Sequence, residues 1–223
     1  MIKAVIVDFD DTLCLTEQTS FELENEVLHL MGRPEQSRSI HRSTWGQPLY
    51  EVIEHRSPGV DVTVFQQLMG EKIASWVEEG RIDAIPYANL DTLDKLINDG
   101  RQLYVLTSRT HNEVEHLLAA DHDLAHRIKA FYYRDIMEYH KPDPRAFDGL
   151  LSDNGFARSE CVYVGDSPSD AAAAKQGQMH FIASLESDLR TEHDFRAYAV
   201  DLFIEKFTKL PQAVKRLDQE VLS

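Results

Sequence analysis

Val5-Ile6-Val7 runs straight into Asp8-Phe9-Asp10-Asp11-Thr12. Residues branched at Cβ suit a pleated, buried backbone. The run is continuous rather than alternating, which is the pattern of a strand covered on both faces. It ends in two acids two residues apart, Asp8 and Asp10. An unpaired carboxylate is costly to bury. A strand that delivers both acids to one place therefore calls for a cation beside them. The plain alternative is a solvated acidic turn, because Asp is a common turn residue.

Other segments repeat the arrangement. Leu103-Tyr104-Val105-Leu106 leads into Thr107-Ser108. The apolar stretch Ile128 to Tyr133 is followed by Lys141-Pro142-Asp143-Pro144. Cys161-Val162-Tyr163-Val164 leads into Gly165-Asp166, with Asp170 four residues later. Taken singly, Thr107 reads as a turn hydroxyl, Lys141 as a loop lysine and Asp166 as a cap for a helix over 167–176. Taken together, they place polar groups at successive strand ends with helical patterns between. Ligands of open parallel sheets lie beyond those ends. Acids suit a cation there, and a hydroxyl with an ammonium suits an anion.

With these four motifs in order, the chain resembles the haloacid dehalogenase superfamily from Ile2 to about Leu217, and within it the phosphoglycolate phosphatase and β-phosphoglucomutase-like members. The resemblance implies an α/β fold: a Rossmann-like parallel sheet core over residues 1–14 and 84–223, with an inserted α-helical cap over 15–83. It implies a Mg²⁺-dependent phosphatase that acts on a small phosphorylated metabolite through an aspartyl-phosphate. Asp8 is then the nucleophile. Asp10 is the general acid and base, and its backbone carbonyl helps hold the metal. Asp8 and Asp166 bind Mg²⁺ through carboxylate oxygens. Asp170 orients the metal site from behind or caps the following helix. Thr107 hydrogen-bonds a phosphoryl oxygen, and Lys141 neutralises charge between Asp8 and that group. Ser108 stands where the family often has asparagine. The turn Ser184-Leu185-Glu186-Ser187 replaces a glycine-rich one.

The segment assigned to the cap breaks the strand–helix alternation. Helical patterns run from Thr16 to about Met31, from Pro48 to about His55 and from Val64 to about Glu79, and Asn89 to Asn98 opens the return to the core. Arg38, His41 and Arg42 make a locally basic stretch beside Trp45-Gly46. Family members place a glycine-ended loop of the cap over the active site, so Arg42, Trp45 and Gly46 are candidate substrate contacts. Otherwise Arg38 and Arg42 share a solvated helix face, and Trp45 belongs to the cap core. Arg109 is a further candidate anion contact. Gly177 to Ala183 reads as a fifth strand.

Composition narrows the partners. A net charge of −15 over 223 residues argues against binding nucleic acid through a basic surface. No apolar run approaches the ~20 residues of a membrane span. Two cysteines, Cys14 and Cys161, make neither a disulfide framework nor a zinc pattern. A cytoplasmic monomer or homodimer is the expectation.

A phosphomutase of the same family shares these motifs. A dehalogenase proper is disfavoured by the second acid, Asp10. A phosphonate hydrolase is disfavoured because Lys72 is the only lysine between Ala4 and Ile82. A phospho-acceptor signalling domain would be about half as long and would carry its acceptor on a later strand. A protein that binds without catalysis would not need the full set of Asp8, Asp10, Thr107, Lys141 and Asp166.

Overall fold

The computed structural model describes residues 1–221. In chain order the elements begin with β1 (Ala4–Val7), α1 (Glu17–Leu30), α2 (Arg38–Thr44), α3 (Leu49–Arg56), α4 (Val62–Glu78) and α5 (Tyr87–Asn98). There follow β2 (Gln102–Leu106), α6 (His111–Val114), β3 (Ala130–Tyr132), α7 (Asp148–Asn154) and β4 (Cys161–Gly165). The chain then forms α8 (Pro168–Gln176), β5 (His180–Ser184), β6 (Leu202–Ile204) and α9 (Leu210–Val221). The strands make one parallel sheet in the order β3-β2-β1-β4-β5-β6. This is the α/β fold expected from the sequence. The edge strand β6 is additional: only three residues long, with Leu202 and Phe203 partly covered, it offers almost no pattern to read.

Both faces of the sheet are covered, which explains the unbroken apolar runs. Val5 and Val7 pack with Leu90 and Leu93 of α5 and with Val214 and Leu217 of α9. Ala4 and Ile6 point the other way, to Leu150 of α7 and Ala171 and Ala174 of α8. Val7 is level with Val105 and with Val164. Asp8 therefore leaves β1 at the same edge from which Thr107 and Asp166 leave β2 and β4.

Helices α1 to α4 have an apolar cluster of their own, built on Leu23, Val27, Phe65, Met69, Ile73 and Trp76. Beside it lies a buried polar network. Arg56 Nη1 sits 2.8 Å from both carboxylate oxygens of Glu24, and each of these side chains is 1% exposed. Arg56 Nε donates to Thr44 Oγ1 at 2.9 Å and Nη2 to the Thr44 carbonyl at 3.2 Å. His41 stands between Glu17, at 2.9 Å, and Glu24, at 3.3 Å. Burial alone would push the Glu24 carboxyl up, but His41 and the Arg56 charge hold it below its ordinary value. The network ties the end of α2 to α1 and α3, and so fixes where the chain enters the loop at Trp45-Gly46. No helix among the described residues is long and apolar enough to cross a membrane.

Removing one partner of a buried ion pair leaves an uncompensated charge, at a cost of about 3–5 kcal/mol. Arg56→Met is expected to destabilise the helical insertion on that scale. Both tryptophans, Trp45 and Trp76, lie in the insertion, so their fluorescence in urea reports its unfolding. A midpoint unchanged from wild type would contradict the role of the pair.

Candidate active site

Asp8 is held at the sheet edge by its own backbone, whose N–H donates to the Val164 carbonyl at 2.8 Å. Lys141 reaches it from the loop after β3. Its Nζ is 3.1 Å from Asp8 Oδ1, 2.7 Å from Asp170 Oδ1 and 2.9 Å from the Tyr163 hydroxyl. Asp8, Asp166 and Asp170 each offer an oxygen within 4.8 Å of the others, and all three residues are buried. One ammonium among three carboxylates leaves a net negative charge in a dry place. Burial and the neighbouring acids push the Asp8 and Asp166 carboxyls up, with Lys141 countering only in part. Lys141 keeps its proton, since Asp170 and Asp8 outweigh the effect of burial. This all-oxygen donor set fits a hard divalent cation, which would restore both carboxylates to the ionised form.

Asp170 serves the cluster and the helix at once. Ser167 is the N-cap of α8, and Asp170 accepts from the Ser167 backbone N–H at 3.0 Å and from its hydroxyl at 2.6 Å. Asp166 itself stands before that cap. A Cβ at position 165 would lie 2.6 Å from Asp170 Cγ, so only glycine lets the two segments pack.

Asp10 faces away from this cluster. Its Oδ1 accepts from the Thr16 hydroxyl at 2.5 Å and from Arg109 Nη2 at 2.7 Å, and its Oδ2 accepts from Arg109 Nε at 3.0 Å. The other side of the guanidinium grips Asp83, at 2.6 Å and 2.9 Å. His116 Nε2 lies 2.8 Å from the same Asp83 carboxylate. Asp83 is 1% exposed in its side chain and adopts φ +56°. Burial pushes its carboxyl up, but the charge of Arg109 and the bonds from His116 and Arg109 hold it down at about 2. Arg109 thus joins the acid of the first strand to the segment where the helical insertion returns to the sheet.

The loop from Trp45 to Leu49 roofs the site. Trp45, Gly46, Pro48 and Leu49 line the cleft with Asp8, Asp10 and Lys141. The Trp45 indole N–H donates to Asp11, and Gly46, at φ +87°, lies against Ser167, whose Cβ would be 3.9 Å from a Cβ at position 46. Ser108 also lines the cleft. Thr107 is fully buried at the end of β2, its hydroxyl accepting from the Arg109 N–H at 3.3 Å. Arg42 is not brought to the cleft: half-exposed on α2, its Nε lies 3.8 Å from Glu17. Arg38 pairs with the same Glu17 and His41 is buried between two acids, so the basic stretch is neutralised locally. Asp83, His116 and Glu113 carry no motif and come to the site only through the fold. The left-handed backbone and burial of Asp83 have no signature in the sequence.

Comparison with known proteins places the chain in a family. Residues 5–184 match the family model described as haloacid dehalogenase-like hydrolase. A phosphoglycolate phosphatase of Aliivibrio fischeri is 32% identical over 93 residues, which is 42% of this chain and 40% of that protein. The crystal structure of CbbY from Rhodobacter sphaeroides in complex with phosphate superposes with a TM-score of 0.79 at 21% identity, covering 94% of this chain and 96% of that one. A haloacid dehalogenase-like hydrolase from Streptococcus pneumoniae gives 0.77 at 17% identity, over 96% and 98%. At these identities the two structures speak for the fold.

A carboxyl held below its ordinary value stabilises the fold above that value and loses the contribution as pH falls toward the folded one. Asp83→Asn is therefore expected to lower stability by about 2 kcal/mol at pH 7. The gap from wild type narrows as the pH drops from 3.8 toward about 2. Urea denaturation of both proteins along that range checks it; a gap constant with pH would show that the carboxylate charge is not what Arg109 uses.

Proposed function

The chain belongs to the haloacid dehalogenase-like hydrolases, and we propose that it is a Mg²⁺-dependent phosphatase acting on a small phosphomonoester through an aspartyl-phosphate on Asp8. The observation that carries this reading is the Asp8 carboxylate, buried beside Lys141 at 3.1 Å and within reach of Asp166 and Asp170. A carboxylate is a competent nucleophile toward phosphorus. Mg²⁺ would be held by Asp8, Asp166 and the Asp10 carbonyl, and would supply positive charge against the phosphoryl oxygens.

In the first step an Asp8 oxygen forms a bond to phosphorus, the ester P–O bond breaks, and Asp10 gives a proton to the departing oxygen. In the second, Asp10 takes a proton from water as that water attacks phosphorus, and the bond to Asp8 breaks to release inorganic phosphate. Lys141, a cation, neutralises negative charge between Asp8 and the phosphoryl group throughout. Asp10 must give up part of its contact with Arg109 and Thr16 to reach the leaving oxygen, so Arg109 governs its delivery. The helices over 15–83 act as a cap that closes the cleft and keeps bulk water out. A phosphomutase would need a second phosphate receptor in the cleft. The cations that line it, Arg56, Arg109 and Lys141, already face carboxylates, which favours the phosphatase.

Asp8→Asn is expected to abolish turnover and to prevent trapping of labelled phosphate on the protein. Asp10→Asn is expected to slow turnover by about 10²-fold or more, and least for esters with good leaving groups. Chelation of Mg²⁺ should silence the wild type. Residual turnover in Asp8→Asn near the wild-type rate would refute the covalent route.

A further inference from the structure

The core residues address only the phosphoryl group, so the remainder of the substrate is chosen by the walls around it. Two spaces adjoin Lys141. The inner cleft, about 870 Å³ with its open mouth included, is lined by Asp8 and Asp10. An outer groove on the far side of the Trp45–Pro48 loop contains Arg134, His140 and Arg190 but neither Asp8 nor Asp10. The departing oxygen must meet Asp10, so the leaving group lies in the inner cleft.

The far wall of that cleft is apolar: Leu23, Leu49, Met69, Ile73 and Ile82. Its cations are committed. Arg56 is 1% exposed and held by Glu24 and Thr44. Arg109 places its nitrogens on Asp10, Asp83 and the Glu113 carbonyl. Carboxylates lining the cleft outnumber cations six to three. A second anionic group on the substrate would meet no unengaged cation there among the described residues, and would face like charge. An anion left unpaired in a buried site is strongly disfavoured.

We propose that the cleft selects phosphomonoesters whose leaving group is uncharged and apolar beyond the ester oxygen. This assignment rests on the phosphatase reading. It departs from the basic character that Arg38, His41 and Arg42 suggest in the sequence, because those charges are neutralised outside the cleft.

The test compares esters that differ by one carboxylate at nearly constant leaving-group basicity: benzyl phosphate against 4-carboxybenzyl phosphate. The expected result is a kcat/KM about 10- to 100-fold higher for the uncharged ester. Leu49→Arg, at a partly exposed position, places a cation on the apolar wall and should narrow that ratio at least several-fold. Equal or reversed ranking in the wild type overturns the assignment. If Arg190→Ala then removes the preference for the charged ester, the outer groove is the leaving-group site. A folded Leu49→Arg with an unchanged ratio also overturns it. Failure of the wild type to release phosphate from either ester or from acetyl phosphate, with Mg²⁺ present, refutes the phosphatase reading itself. Turnover with the wrong ranking refutes only the leaving-group assignment.

Discussion

Three carboxylates buried around one ammonium form the constraint on which the rest of the structure depends. Asp8, Asp166 and Asp170 repel one another in a dry pocket, and Lys141 neutralises only part of their charge. Such an arrangement is unfavourable to folding taken alone. It persists because the surrounding elements over-determine it: parallel strands set the register of Asp8 and Asp166, Gly165 leaves room for Asp170, and Ser167 ties Asp170 to α8. On the proposed reading, what is unfavourable without a ligand becomes an affinity for a divalent cation and, through it, for a phosphate dianion. The fold stores the attraction that the chemistry uses.

A second cluster, centred on Arg109, is nearly independent of the first and answers a different need. In the proposed reaction Asp10 has to change partners, so it cannot be locked into the Asp8 group. Arg109 holds it on one side and grips Asp83 on the other. Because Asp83 lies where the helical insertion rejoins the sheet, movement of that segment and the freedom of Asp10 are mechanically linked. Phe9 shields the guanidinium, whose carbon is 4.6 Å from the ring centroid, which strengthens both ion pairs by excluding water.

The legibility of the sequence follows from how local each feature is. The strands β1, β2, β4 and β5 are apolar runs with polar ends, and both signals lie within a few residues. That Asp8, Thr107 and Asp166 would lie near one another could be read because the ends of neighbouring parallel strands converge by geometry. The strand β6 was hidden because three residues carry no periodicity. The partners of Arg109 were hidden because Asp83 and His116 are joined to it only by tertiary packing. Arg42 illustrates the converse. A cluster of basic residues in sequence implies a basic surface only if nothing folds against it, and Glu17, the first residue of α1, and Glu24, two turns further on, do so here.

If a chain of net charge −15 is to handle a phosphate dianion, as proposed, it must ration its positive charge. Here rationing takes the form of pairing. Arg56 organises the helical insertion against Glu24, Arg109 organises Asp10 and Asp83, and Lys141 organises the acids at the strand ends. Each of these cations serves geometry, so among the described residues none is left in the inner cleft to hold a second anion. On the proposed reading, attraction for the single phosphoryl group then comes almost wholly from Lys141, the backbone at the strand ends and the metal that the acids would hold. The apolar wall of the insertion would then supply the remaining binding energy by burying area, at about 25 cal/mol per Å² removed from water. Discrimination by such a wall depends on shape and desolvation, and it acts through the same helices whose position Arg56 and Glu24 fix.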